Sequence, residues 1–351
     1  MLQISAELLA MAGESAVLIK NGKVVFANSG ARVLLGRDCE GKSVRAILGD
    51  ELAEIQSASF IGDFKINGKS HIVRVRSIDN VKAFFISESN DKPNLISDAF
   101  IYSLRSCLMS INMTLSMLHS NEELPADVKK NLTEINHEAF KIKRILSNIS
   151  TIRSLWDESL VFSPIFINLS EMLARHMDSI RTLFHGLEIR FSAPEPVMLY
   201  ADPALIETLI LNLLSNCCLH AKDCTRISIS LIKLKEKAIL CVDDDGCGIS
   251  ADELHEVFDR YRHGFALRDM GQGAGLGLTA ARLIANLHGG TLLMESRQDI
   301  GTAVRVSLSL SPYADAPLKQ PEIQPDLSIT NLLTGLADCL PSEFYSEKFA
   351  D

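Results

Sequence analysis

Residues 205–221 read LIETLILNLLSNCCLHA, and residues 243–249 read DDDGCGI. In the first stretch Asn212 and Asn216 stand four apart and share one face of a helix predicted over 204–220, with Leu205, Leu209 and Leu213 on the buried side. Two carboxamides in register can offer oxygen to a hard cation such as magnesium, whose shell is completed by water and phosphate oxygens. A solvated polar face is the plainer reading of the same pair. The second stretch directly follows a strand predicted over 238–243. Its glycines let backbone approach a flat ligand, and Asp244 at a strand end can accept a hydrogen bond from an exocyclic amine. A tight turn or an acidic calcium loop is the alternative, but the closing Glu of an EF-hand is missing.

Further on, residues 271–278 read GQGAGLGL and open a helix predicted over 277–287, which ends in His288-Gly289-Gly290. Glycine-rich backbone leading into a helix N-terminus gathers N–H donors where polyphosphate can bind. The run is not a Rossmann fingerprint, since no βαβ unit surrounds it, and it lacks the Lys-Ser/Thr ending of a P-loop. Around these segments the pattern predicts a helix at 169–183 and strands at 187–191, 227–233, 291–295 and 303–310, so 166–312 reads as one α/β domain. The tail, 313–351, starts rich in Pro and polar residues and then shows a weak amphipathic stretch at 327–340. It is given no fold and is expected to be flexible.

Upstream, Ile101, Leu104, Leu108, Ile111, Leu115 and Leu118 alternate spacings of three and four, and so do Val128, Leu132, Ile135, Ala139, Ile142, Leu146 and Ile149. These are coiled-coil seams. A turn containing Pro125 joins them into a helical hairpin over 95–158. One hairpin alone leaves apolar surface bare, so a homodimer through helices 97–118 and 128–156, forming a four-helix bundle, is expected. Residues 7–89 alternate in short segments around Asn21-Gly22 and Asn67-Gly68, with short helices expected at 29–35 and 44–55. They predict a small antiparallel sheet. Their order resembles that of a PAS sensory domain.

The chain has 351 residues, 47% hydrophobic and 23% charged, with 35 Lys+Arg against 44 Asp+Glu. That composition suits two or three globular units. A net charge of -9 gives no reason to expect nucleic acid as a partner. No stretch approaches the ~20 apolar residues of a membrane span, and the N-terminus lacks the features of a signal peptide. A cytoplasmic protein with reduced, mostly buried thiols is expected, because the 8 cysteines form no spaced CxxC pairs.

Taken together and in order, the paired asparagines preceded by Asp202-Pro203, the Asp-x-Gly-x-Gly at 244–248, Phe258 within ELHEVFDRY, and Gly273-x-Gly275-x-Gly277 before a helix ending in His-Gly-Gly resemble the ATP-binding domain of sensor histidine kinases. The resemblance covers about residues 100–310. It implies an α+β multidomain chain: a PAS-like antiparallel sheet, a two-helix hairpin, and a Bergerat α/β sandwich of the GHKL type with a mobile lid at 258–273. It implies Mg2+ and ATP as cofactors. Asn216 would ligate magnesium, and Asn212 would lie near the phosphates. Asp244 would recognise adenine in a pocket shaped by Gly246 and Gly248, and Phe258 would belong to the nucleotide site. His220, Gly273, Gly275, Leu276, Gly277 and Leu278 would complete the nucleotide site. Related ATPases such as gyrase and Hsp90 carry Glu as general base where this chain has Asn212. An amide takes no proton from water, which favours the kinase branch.

The acceptor motif departs from the family's pattern. Where the family has Ser-His-Glu-Leu-Arg-Thr-Pro-Leu, residues 101–108 read IYSLRSCL. Leu104 and Arg105 match, but Tyr102 stands at the phosphate-accepting histidine, Ser103 at the acidic residue and Cys107 at the proline. Leu219 falls where Lys commonly meets phosphate. The heptad phase points residue 102 outward, yet a phenol with pKa ~10 needs a base that Ser103 cannot supply. His119 and His137 are read as surface histidines. Two functions follow: an ATP-dependent kinase acting on a response regulator or another sensor kinase, with Tyr102, Arg105 and Asn212 as catalytic candidates, or a pseudokinase whose conformation answers to nucleotide.

Overall fold

A computed structural model describes residues 15–36, 38–49, 52, 59–78, 81–88, 98–121, 123–157, 159–184, 186–220, 224–250, 276–310 and 327–346. The expected site residues Phe258, Gly273 and Gly275 lie outside them. The fold is mixed α+β.

At the N-terminal end β1 (Ser15–Lys20) and β2 (Lys23–Ala27) form a hairpin through Asn21 and Gly22, both at positive φ as a tight turn requires. Two short helices follow, α1 (Ser29–Leu35) and α2 (Val44–Leu48), the second stopping at Gly49 within the predicted 44–55, of which residues 50, 51 and 53–55 lie outside the described ones. Asn28 caps α1: its side-chain oxygen accepts from Ala31 N–H and reaches across to Ala16 N–H. Then come β3 (Ser59–Ile66), β4 (Lys69–Ile78) and β5 (Val81–Glu88), and the strands order as β2-β1-β5-β4-β3 around Phe60, Phe64, Phe84 and Ile86.

The hairpin helices are α3 (Asp98–His119) and α4 (Ala126–Trp156). After them β6 (Ile165–Asn168) leads into α5 (Leu169–Arg181), whose Leu169, Met172, Leu173, Met177 and Ile180 are all buried. Each such side chain contributes about 1.5–3 kcal/mol of burial. β7 (Glu188–Ser192), β8 (Met198–Ala201), α6 (Pro203–His220), β9 (Arg226–Leu234), β10 (Lys237–Asp244), α7 (Leu276–Leu287), β11 (Leu292–Arg297) and β12 (Gly301–Ser309) complete this region. β6 and β8, which the pattern did not predict, pair as a small separate sheet.

The sheet continues across the two regions. Its order is β2-β1-β5-β4-β3-β11-β12-β10-β9-β7, because Phe60, Ile61 and Gly62 pair antiparallel with Glu295, Met294 and Leu293. A Cβ at Gly62 would sit 2.9 Å from Leu293 Cδ1 and 3.1 Å from the Leu292 carbonyl, so glycine permits this approach.

The expectation of a flexible tail fails for residues 327–346. They form α8 (Ile329–Gly335) and a 3-10 turn (Ser342–Tyr345), with Leu327, Leu332, Leu333, Leu336, Leu340 and Tyr345 buried. The segment fills the angle between α4 and α6. Asn136 Nδ2 donates to the Tyr345 carbonyl (2.6 Å), His137 Nε2 to the Ala337 carbonyl (2.6 Å), and Arg144 pairs with Asp338. The His137 ring stacks on Tyr345 at 4.4 Å. His137, half-buried, is thus a docking post for the tail, and His119 is buried, so neither is the surface histidine that was expected. No helix among the described residues is long and apolar enough to cross a membrane.

Candidate nucleotide site

The site is built around α6, and its start is fixed by two side chains. Asp202 Oδ1 accepts from Ala204 N–H (3.1 Å) and Leu205 N–H (3.3 Å), the caps of a helix N-terminus, while Oδ2 accepts from Ser163 N–H (3.2 Å). His288, of the His-Gly-Gly that ends α7, accepts Asp202 N–H at Nε2 (3.1 Å) and donates from Nδ1 to the Ile284 carbonyl (2.8 Å). The neutral Nδ1–H tautomer alone satisfies both bonds, and burial keeps the imidazole pKa below its ordinary value. The following Gly290 lies so close to strand β12 that a Cβ would overlap the Ser307 carbonyl.

Leu205, Leu209 and Leu213 bury one side of α6, as its pattern predicts. Asn212 and Asn216 face the start of α7, where a Cβ on Gly277 would meet Asn212 Oδ1 at 3.1 Å and Asn216 Oδ1 at 3.5 Å. The two segments picked out by sequence therefore touch, with glycine making the contact. The asparagines differ in what they are bonded to. Asn212 is buried and exchanges two hydrogen bonds of 3.0 Å with Asn148 of α4, so both ends of its amide are taken by the hairpin. Asn216 keeps its Nδ2 buried without a hydrogen-bond partner among the described residues. An amide with unspent capacity beside a glycine-opened helix fits a ligand that brings polar atoms of its own.

Asp244 ends β10. Its Oδ1 accepts from Gly246 N–H (3.1 Å) and Thr302 N–H (3.3 Å), and the buried Cys217 thiol donates to the same carboxylate. Burial raises its pKa despite these bonds. Gly248, at φ +63, could not carry a side chain: a Cβ would stand 2.1 Å from the Arg297 carbonyl. Asp245 turns away and closes the start of β9. It accepts from Arg226 N–H (2.8 Å) and Thr225 N–H (2.9 Å), bonds that hold its carboxyl well below the usual range.

At the hairpin, Tyr102 is 77% exposed, as the heptad phase predicts. Its neighbour Ile101 is buried with Ile149, Ile152, Leu276 and Ala280, so the start of α3 packs on the start of α7. Arg105 Nη2 donates to Ser150 Oγ of α4 (2.8 Å), which ties it to the hairpin. Leu276 lies in this same apolar cluster, and Leu278 packs at the edge of the main core. Asn148 and Thr302 escaped sequence reasoning, and His288 was read only as part of the His-Gly-Gly that ends α7, not as the partner of Asp202. Asn148 sits in a helix with no local motif, and Thr302 acts through its backbone.

Residues 201–312 match the family described as histidine kinase-, DNA gyrase B- and HSP90-like ATPase. The chain is 27% identical over 215 residues to the sensor histidine kinase YvrG of Bacillus subtilis, covering 58% of this chain and 36% of that one. It is 24% identical over 267 residues to the sensor protein SrrB of Staphylococcus aureus, covering 72% and 44%. It thus spans less than half the length of these relatives. Among solved structures, full-length ShkA in complex with AMPPNP shares the fold over 62% of this chain and 47% of that one, with a TM-score of 0.51 and 16% identity. Residues 201–312 thus match an ATPase family that includes the histidine kinases, and the chain is similar in sequence to sensor kinases.

Proposed function

We propose that this chain binds Mg2+ and ATP at the α6–α7–β10 site and acts in two-component signalling, phosphorylating or regulating a response regulator or another sensor kinase in the cytoplasm. The observation that carries this reading is the meeting of Asn216, with an unspent amide, and Gly277 at the start of α7. In this reading Asn216 ligates the metal, Asp244 receives the adenine amine, and the donors at 276–278 and the His220 end of α6 face the phosphates. The metal's chemistry is to neutralise phosphate charge. The N-terminal sheet is a PAS-like input unit, and the hairpin dimerises into a four-helix bundle.

A second reading, a pseudokinase whose shape answers to nucleotide, is favoured by Tyr102, a phenol beside Ser103 where an imidazole and a carboxylate would be needed. Calorimetry with ATP and magnesium tests the common part. Uptake that vanishes in Asn216→Ala is expected, and no uptake at millimolar nucleotide would overturn both readings. Gamma-labelled ATP separates them: stable label lost in Tyr102→Phe supports the kinase, and its absence supports the pseudokinase.

A further inference from the structure

The docked C-terminal segment brings a thiol pair together outside the nucleotide site. Cys339, just past α8, lies against α6 with its Sγ 3.2 Å from Ser215 Oγ and 3.5 Å from the Ser215 carbonyl. Cys218 stands one turn further along the same helix face, where residues three apart are neighbours. Cys218 is thus the α6 thiol on the face that meets Cys339, and each of the two thiols perturbs the other's titration. Both are half-buried rather than sealed. The adjacent Cys217 points elsewhere, to Asp244, as successive helix positions must. Arg144, paired with Asp338 next in sequence, holds its positive charge near Cys339.

We propose that Cys218 and Cys339 are a redox pair that closes to a disulfide under hydroperoxide and fastens the C-terminal segment to α6. The hydrogen bond from Cys218, with Arg144 close by, lowers the Cys339 pKa, and the same contact together with burial raises that of Cys218. With the Arg144 guanidinium beside it, Cys339 is the attacking thiolate. Its sulfur forms a bond to the terminal oxygen of the hydroperoxide as the O–O bond breaks, and the alcohol leaves with a proton. The Cys218 sulfur then attacks this sulfenic acid, the S–S bond forms, and hydroxide leaves with the Cys218 proton as water. The two sulfurs together lose two electrons, and the peroxide gains them. Because the same segment is hydrogen-bonded to Asn136 and His137 of α4, the bond would fix α6 against the hairpin.

The test uses the full chain, treated with hydrogen peroxide, blocked with an alkylating agent and mapped by non-reducing peptide mass spectrometry. A linked pair of peptides carrying Cys218 and Cys339, lost on reduction and absent in Cys339→Ser, is the expected result. Amide exchange at Leu332 and Leu336 should slow about tenfold or more in the oxidised form. Wild-type protein in which exposed Cys107 is oxidised while Cys218 and Cys339 remain separately alkylated would overturn the proposal. So would a link formed by Cys217 in place of Cys218. These readouts need no nucleotide, so they stand or fall apart from the proposed ATP site.

Discussion

The Asn148–Asn212 pair offers a sharp perturbation, because both side chains are buried and each amide satisfies the other at 3.0 Å. Asn148→Leu keeps the shape but leaves both the oxygen and the nitrogen of Asn212 without partners. Each unsatisfied group costs about 1–3 kcal/mol, so the single variant should lose about 2–6 kcal/mol. Replacing both residues by leucine removes the need for either bond and should recover most of that loss. Urea unfolding of the four proteins in the cycle, at unchanged m, reads the coupling directly, and at least about 1.5 kcal/mol is expected. If Asn212 must turn to the nucleotide, its bond to Asn148 opposes binding. Asn148→Leu should then raise ATP affinity while lowering stability, by about tenfold per 1.4 kcal/mol released. Losses that simply add, or affinity that falls together with stability, would refute the reasoning.

Three further outcomes are expected. Tyr345→Ala removes a fully buried ring that stacks on His137 and donates its hydroxyl to the Leu333 carbonyl, and about 3–5 kcal/mol should be lost from the docking of residues 327–346, seen as faster amide exchange there. His288 is held neutral in the fold, so below the free imidazole value of ~6.5 the unfolded chain binds the extra proton. Stability should therefore be full above that pH and decline as pH falls below it, and His288→Gln should flatten the slope in a pH series of thermal melts. Gly248→Ala puts a Cβ against the Arg297 carbonyl at positive φ, and a loss of about 1–3 kcal/mol with weakened ATP uptake is expected by calorimetry.

The parts of the site that were legible lie within single elements. Asn212 and Asn216 share a helix face by period alone, and a carboxylate followed by glycines at the end of β10 needs no distant partner to be recognised. What escaped depends on surfaces far apart in the chain. The amphipathic stretch at 327–340 looks weak because its apolar residues insert between two helices, so they cover more than one face. Its partners Asn136, His137 and Arg144 lie about two hundred residues upstream. His137 gave no sign of this, since an imidazole in a charged helix reads as solvated. The joining of β3 to β11 rests on Gly62, which in sequence is one glycine in a strand.

The hairpin seam is half used within one chain. Leu108, Leu115, Leu132, Ala139, Leu146 and Ile149 are buried, whereas Ile111, Leu118, Ile135 and Ile142 are at least 41% exposed, although all belong to the same heptad series. Met109, Met113 and Met117 add a stripe four residues apart along α3, each more than 60% exposed. An unpartnered stripe of this extent is unusual on a monomer, and covering it with the same stripe of another copy satisfies both at once. Burying the four seam residues alone would contribute about 1.5–3 kcal/mol each before association costs. Sedimentation velocity should therefore show a dimer at micromolar protein, and Ile135→Asp with Ile142→Asp should return it to monomer with its helical circular dichroism largely intact. A wild-type chain that sediments as a monomer at tens of micromolar would show instead that the exposed half of the seam serves a different partner.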